Sequence, residues 1–283
     1  MPRVAARVGI IAVISAAVTA VHHLRPSSFP VLPAAPFTLL GLGLSIFLGF
    51  RNSACYDRWW EARKQWGQLL TEARNLSRQL GALLPGPERH GTAARRIVAF
   101  ALALAARLRG TDPVVAARPW LAPAEAGALQ ERSNVPDAIL RSLTADLASA
   151  MQHGELSDLS FAALEVHVAA LCGVQAACDR LRGTPTPFAY TLLLHRTAWL
   201  FCLLVPFALV GAAGFAAPLI AAILAYTFFG LDALGDELED PFALRPNTLP
   251  LDAMVRNLEI EVLEALGETC LPEPVQPVNY VLR

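Results

Sequence analysis

The sequence is short of charge and lacks the motifs that mark most soluble catalysts. Asp, Glu, Lys and Arg make up 17% of its 283 residues, and the formal net charge is −1. No basic excess is present to hold nucleic acid. No G-x-x-x-x-G-K phosphate loop occurs. The five cysteines, Cys55, Cys172, Cys178, Cys202 and Cys270, include no C-x-x-C pair. That odd, scattered set argues against a disulfide framework and against zinc. It reads as buried, reduced thiols. The six histidines form no ligand spacing, so no metal and no cofactor is expected. No segment alternates as a strand does, which excludes a separate α/β domain. No internal repeat and no broken span appears, which counts against a secondary transporter. No convergent nucleophile–base set appears either, which counts against a membrane-anchored enzyme.

What is abundant is apolar side chain. The chain is 54% hydrophobic with a mean hydropathy of +0.43. That is too apolar for an ordinary soluble protein and too charged to lie wholly in a bilayer. The expectation is an all-α membrane protein whose helices continue into a watery part.

Four apolar segments are predicted to span: about 4–24, 37–50, 188–210 and 215–234. The N-terminal segment imitates a signal peptide. Its apolar run reaches Val21 and is followed by His22 and His23, not by a small-x-small cleavage site, so it reads as a retained span. The second segment changes, with no proline, from the apolar FTLLGLGLSIFLGF into the charged, Trp-rich RNSACYDRWWEARKQW. A helix that leaves a membrane and continues into water, here to about residue 84, has that pattern. Its apolar part falls short of the ~20 residues a lone span needs. That is tolerable where neighbours shield the helix or it lines a cavity. Leu42, Ile46 and Phe50 stand four apart and form one stripe, with about 6 Å of helix rise per step. Such a stripe is a candidate pore lining.

Orientation follows Lys and Arg. Arg3 and Arg7 precede the first span, Arg51, Arg58, Arg63 and Lys64 follow the second, and Arg180 and Arg182 precede the third. The links PSSFPVLPAAPF and GAAGFAAP carry no charge. Both termini and the middle segment, about 84–186, are expected in the cytosol of a cell with this protein in its inner membrane. The middle segment reads as helices over 93–108, 135–153 and 157–181, the last with Ser157 suited to cap it. An amphipathic helix begins at Leu251 and ends in an extended, Pro-rich tail.

Several charged residues admit two readings. Asp232, Asp236 and Asp240 recur every four residues at the end of the fourth span, where the helix dipole repels acids. Compensation from Arg51, Arg58, Arg63 or Lys64, as a structural belt, is preferred to a cation site. His195 and Arg196 lie inside the third span and must face protein or water. The plainer role for them is to partner an acid such as Asp232, and the sharper one is a charge near a conduction path. Trp59, Trp60 and Trp66 read as an interfacial belt and core packing, or as a vestibule wall.

Three stretches, SIFLGFRNSACYDRWWEARKQWGQL, TPTPFAYTLLLHRTAWLFCLLVPFALVG and DELEDPFALRPNTLPLDAMVRNLEIEVLE, resemble the bestrophin family in its bacterial branch. The resemblance frames nearly the whole chain and implies a single channel domain over 1–283. It implies a homopentamer of identical subunits in membrane lipid, with one central pore for small monovalent ions, chloride or sodium. It places the neck at Leu42, Ile46 and Phe50 and a second, cytosolic aperture at Leu159. Animal members are calcium-activated, through an acidic run after an Asn-Pro-Phe that matches Asp240-Pro241-Phe242. This chain continues Ala243-Leu244-Arg245-Pro246-Asn247-Thr248, so calcium gating is not expected.

Overall fold

The computed structural model describes residues 2–26 and 32–282. The charge-free link of the first two spans therefore falls partly, at 27–31, outside the described residues. Among the described residues, ten α-helices carry the fold and β-pairing is limited to an isolated bridge between Val278 and Val281. The helices are α1 (Pro2–Leu24), α2 (Ala34–Leu83), α3 (Pro87–Arg109), α4 (Pro113–Ala117), α5 (Pro123–Ala128), α6 (Val135–Gln152), α7 (Asp158–Gly183), α8 (Phe188–Ala213), α9 (Ala217–Glu239) and α10 (Leu251–Ala265). They fall into two compact units, Met1–Trp59 with Pro185–Glu239, and Trp60–Thr184 with Asp240–Arg283.

The first unit holds α1, α8, α9 and the N-terminal half of α2. Its core joins Ile11, Leu48, Phe201, Cys202, Ala225 and Phe229, each nearly or fully buried. Lipid tails are as apolar as these side chains, so close packing and not water exclusion holds such helices together. The fit is correspondingly tight. A Cβ placed on Gly41 would sit 3.2 Å from the Phe201 ring. The Phe201 and Phe228 rings meet edge-on at 5.0 Å, and those of Trp199 and Phe229 at 4.7 Å. Helix α8 continues through Pro206 and stops at Gly214, whose φ of 51° lies in the left-handed region. A short 3-10 turn, Gly214–Ala216, then starts α9.

The second unit is a helical bundle around α3, whose Ala-rich face is almost wholly buried. Small side chains let α4, α6 and α10 approach it closely. Gly110, at φ 74°, closes α3, and the Asp112 carboxylate caps α4 through the N–H of Val114 at 2.8 Å. Arg96 is clamped between Glu125, at 2.7 Å, and Asp146. The short helices α4 and α5 lacked an apolar period long enough to be read from the sequence.

Two expectations change. By length and composition, four helical runs among the described residues are apolar enough to cross a membrane: Val4–Leu24, Ala34–Leu83, Asp158–Gly183 and Phe188–Glu239. The last contains both α8 and α9, and α7 joins the set although the sequence read it as a watery helix. Its apolarity has another source. Leu164, Val168, Leu171 and Val174 are buried within the second unit. Its polar groups are engaged there too, Asp179 by Arg107 at 3.0 Å and His167 by Glu72 at 2.7 Å. The second change concerns the thiols. Cys55, Cys178 and Cys202 are buried, but Cys172 and Cys270 are exposed. Cys172 sits on the outward face of α7, one residue past the buried Leu171, and Cys270 lies in the extended tail.

Candidate functional site

Helix α2 divides its residues sharply between two faces. Leu44, Leu48, Arg51 and Cys55 are at most 3% exposed, whereas Leu42, Ile46 and Phe50 are 59%, 47% and 64% exposed. Each residue of an α-helix turns by about 100°. Positions four apart therefore drift slowly along one side, while the buried set lies opposite. The first unit uses the buried side for its own core and leaves the three apolar side chains uncovered.

The buried side carries a charge. Arg51 follows Phe50 directly, and its side chain is fully enclosed. Its Nη1 donates to the Asp232 carbonyl at 3.1 Å and to the Asp232 carboxylate at 3.2 Å. Its Nη2 donates to Asp236 at 2.5 Å and to Glu239 at 3.4 Å. Asp232 is as deeply buried and serves as the hub. Its second carboxylate oxygen accepts from Arg7 at 3.4 Å and from His195 Nδ1 at 2.7 Å. Arg7 lies also over the rings of Trp199 and Phe229, at 5.9 and 5.8 Å, where ring quadrupoles favour a cation. Arg58 Nε donates to the Glu239 carbonyl at 2.6 Å, and the Thr186 hydroxyl donates to the Glu239 carboxylate. Acids at the C-terminal end of α9 are thus held by cations from α1 and α2, offsetting the helix dipole.

One glycine makes the arrangement possible. A Cβ on Gly235 would lie 2.7 Å from the Asn52 side-chain oxygen and 2.9 Å from Arg51 Nη1. Gly235→Ala is therefore expected to cost about 1–3 kcal/mol, as overpacked sites do. Thermal unfolding of the detergent-purified protein measures it, and an unchanged midpoint contradicts the contact.

The remaining sequence-selected residues take no part in these bonds. Arg196 is exposed on α8 and makes no ion pair among the described residues. In the second unit, Lys64 pairs with Glu61 at 2.9 Å. Hydrogen bonds from Lys64 and Gln65 hold the Glu61 carboxyl below its usual range. Arg63 makes no ion pair among the described residues, and its Nη1 lies 3.3 Å from where a Gly67 Cβ would stand. Asp240 accepts the Phe242 backbone N–H at 3.3 Å, fixing its own turn. Leu159 projects from the first turn of α7 and is 83% exposed. Trp66 is buried, while Trp60 is 47% exposed. Sequence reasoning missed Arg7 as a partner and Gly235 as a spacer. An arginine at the very start of an apolar span was a signal for the first, while the second required knowing which helix faces it.

Comparison with known proteins extends over this whole framework. A family described as Bacterial/Fungal Bestrophin protein matches residues 1–264. A voltage-dependent anion channel-forming protein of Mesorhizobium japonicum is 43% identical over 268 residues, covering 95% of this chain and 86% of that protein. One of Escherichia coli is 40% identical over 246 residues, covering 87% and 81%. The crystal structure of a bacterial bestrophin homolog from Klebsiella pneumoniae superposes with a TM-score of 0.89 at 37% identity, covering 93% of this chain and 98% of that one.

Proposed function

This chain belongs to the bacterial and fungal bestrophin family, a family of membrane channels and not of enzymes, and on that premise we propose that it is one subunit of a homopentameric channel for small monovalent ions, chloride or sodium. The observation that carries the reading is the uncovered stripe of Leu42, Ile46 and Phe50, backed across the same helix by the buried Arg51. Symmetric copies that turn these stripes toward one axis build an apolar neck. A neck of this kind gates by dewetting: narrow, it excludes water and ions, and a small widening restores conduction. Phe50, the bulkiest, dominates closure. Leu159, exposed at the start of α7, supplies the second constriction at the cytosolic end. The pattern of Arg and Lys supports a topology with both termini in the cytosol of an inner-membrane protein.

The names of the relatives support anion conduction. The neck itself does not choose a sign, because apolar walls reject both. Single-channel recording in a planar bilayer tests the reading. Unitary steps above transporter turnover are expected, and smooth, slow uptake without steps favours a secondary transporter.

Calcium is not the opening signal. The segment after Phe242 has no acidic run, and Thr248 occupies its carbonyls, with Oγ1 at 2.5 Å from Ala243 O and 2.8 Å from Arg245 O. Calcium sites draw on six to eight oxygens, several of them carboxylate. Micromolar calcium is expected neither to raise open probability nor to bind measurably. A stoichiometric calorimetric site near 10⁻⁶ M refutes that expectation.

A further inference from the structure

The exposed stripe of α2 does not end at Phe50. Positions seven apart on a helix almost coincide in direction, so Ser53 and Asp57 continue the side that bears Leu42, Ile46 and Phe50, and both are exposed. Asp57 is the first charge on that side, about 10 Å of helix rise beyond Phe50. It makes no ion pair and no side-chain hydrogen bond among the described residues.

The charges around it differ. Arg51 is buried against Asp232, Asp236 and Glu239. Arg58 turns its Nε to the Glu239 carbonyl. Lys64, seven residues further along α2, is matched by Glu61. Arg196, also unpaired among the described residues, is carried by α8 and not by this stripe. No ion pair cancels the charge of Asp57 on the side that the neck residues share, and the charges of Arg58 and Arg63 lie on other sides of α2.

We propose that Asp57 sets the sign of the conducted ion, favouring small monovalent cations over anions. The proposal rests on the channel reading of the stripe. Copies of the chain around one axis repeat the carboxylate as a ring at the cytosolic mouth of an apolar neck. Rings of Asp or Glu select cations in channels. Low-dielectric walls focus such a field along the axis. At physiological salt the Debye length is about 8 Å, so roughly a third of the ring's potential survives at Phe50. A ring of unit charges acting over that distance, attracting cations and repelling anions, favours cations about tenfold. This sign is opposite to the one in the relatives' names, so one measurement separates the two.

The test is the reversal potential in asymmetric NaCl for the parent, Asp57→Asn and Asp57→Lys, each first checked for the parent's gel-filtration profile. The parent is expected to favour sodium over chloride about tenfold. Asp57→Asn should bring the ratio near unity, and Asp57→Lys should invert it. In the unsubstituted protein, raising the salt toward about 1 M, where the Debye length is about 3 Å, should erode the preference. A parent that conducts in unitary steps yet prefers chloride overturns the assignment and leaves the channel reading standing. An unchanged ratio in Asp57→Lys does the same. A parent with no unitary current at all overturns the channel reading and the assignment with it.

Discussion

Asp232→Asn is expected to lower the stability of the folded subunit by about 3–5 kcal/mol, the loss that follows when one partner of a buried ion pair is removed. The carboxylate is 1% exposed and receives Arg7, Arg51 and His195 at once. Its neutral replacement leaves two guanidinium groups short of charge, and one of them, Arg51, is fully enclosed. Arg51 keeps Asp236 and Glu239, which holds the loss toward the lower end. Asp236→Asn should cost less, because that side chain is 48% exposed and water takes part of its role. The two losses separate a scaffold from an ion site. A scaffold shows a fall in thermal midpoint or in oligomer yield with the permeability ratio preserved. An intact oligomer with strongly altered selectivity in Asp232→Asn moves the hub into the conduction path. A double-mutant cycle sharpens the point: Arg51→Gln with Asp232→Asn should cost less than the sum of the singles, since contacting charges couple.

The joint substitution Leu42→Ala, Ile46→Ala and Phe50→Ala is expected to raise conductance or open probability by about tenfold or more. A barrier lowered by only about 1.4 kcal/mol suffices for that factor, and the three truncations remove most of the apolar bulk facing the proposed axis. The subunit tolerates the change, because these side chains are 59%, 47% and 64% exposed and contribute little to its own core. Phe50→Ala alone should deliver most of the gain. If the triple variant assembles and conducts like the parent, the stripe is packing against lipid or a neighbour and not a gate.

Much of this was legible from residue order alone. The length of α2 followed from the absence of proline between an apolar and a charged tract, the start of α7 from its Ser157 cap and the start of α10 from its apolar spacing. The stripe of Leu42, Ile46 and Phe50 was legible because a helix converts a four-residue repeat into one face. The acids at the end of α9 announced that they needed cations, since their own helix dipole opposes them.

What the sequence by itself determined is therefore periodicity, polarity and need: which segments are helices, which sides are apolar and which charges require partners. Only the tertiary structure decided who meets whom. Arg51 rather than Lys64 took Asp232 and Asp236 because α2 turns position 51 inward and Gly235 leaves room for the guanidinium. Arg7 joined them from α1, a partner more than two hundred residues away in the chain. Helix α7, apolar enough to span, took its place in the core of a bundle because its apolar face found α3 and α6, and its charges found Arg107 and Glu72. Pairings of this kind depend on how helices pack in three dimensions, and a local pattern of residue types carries no information about distances across the chain.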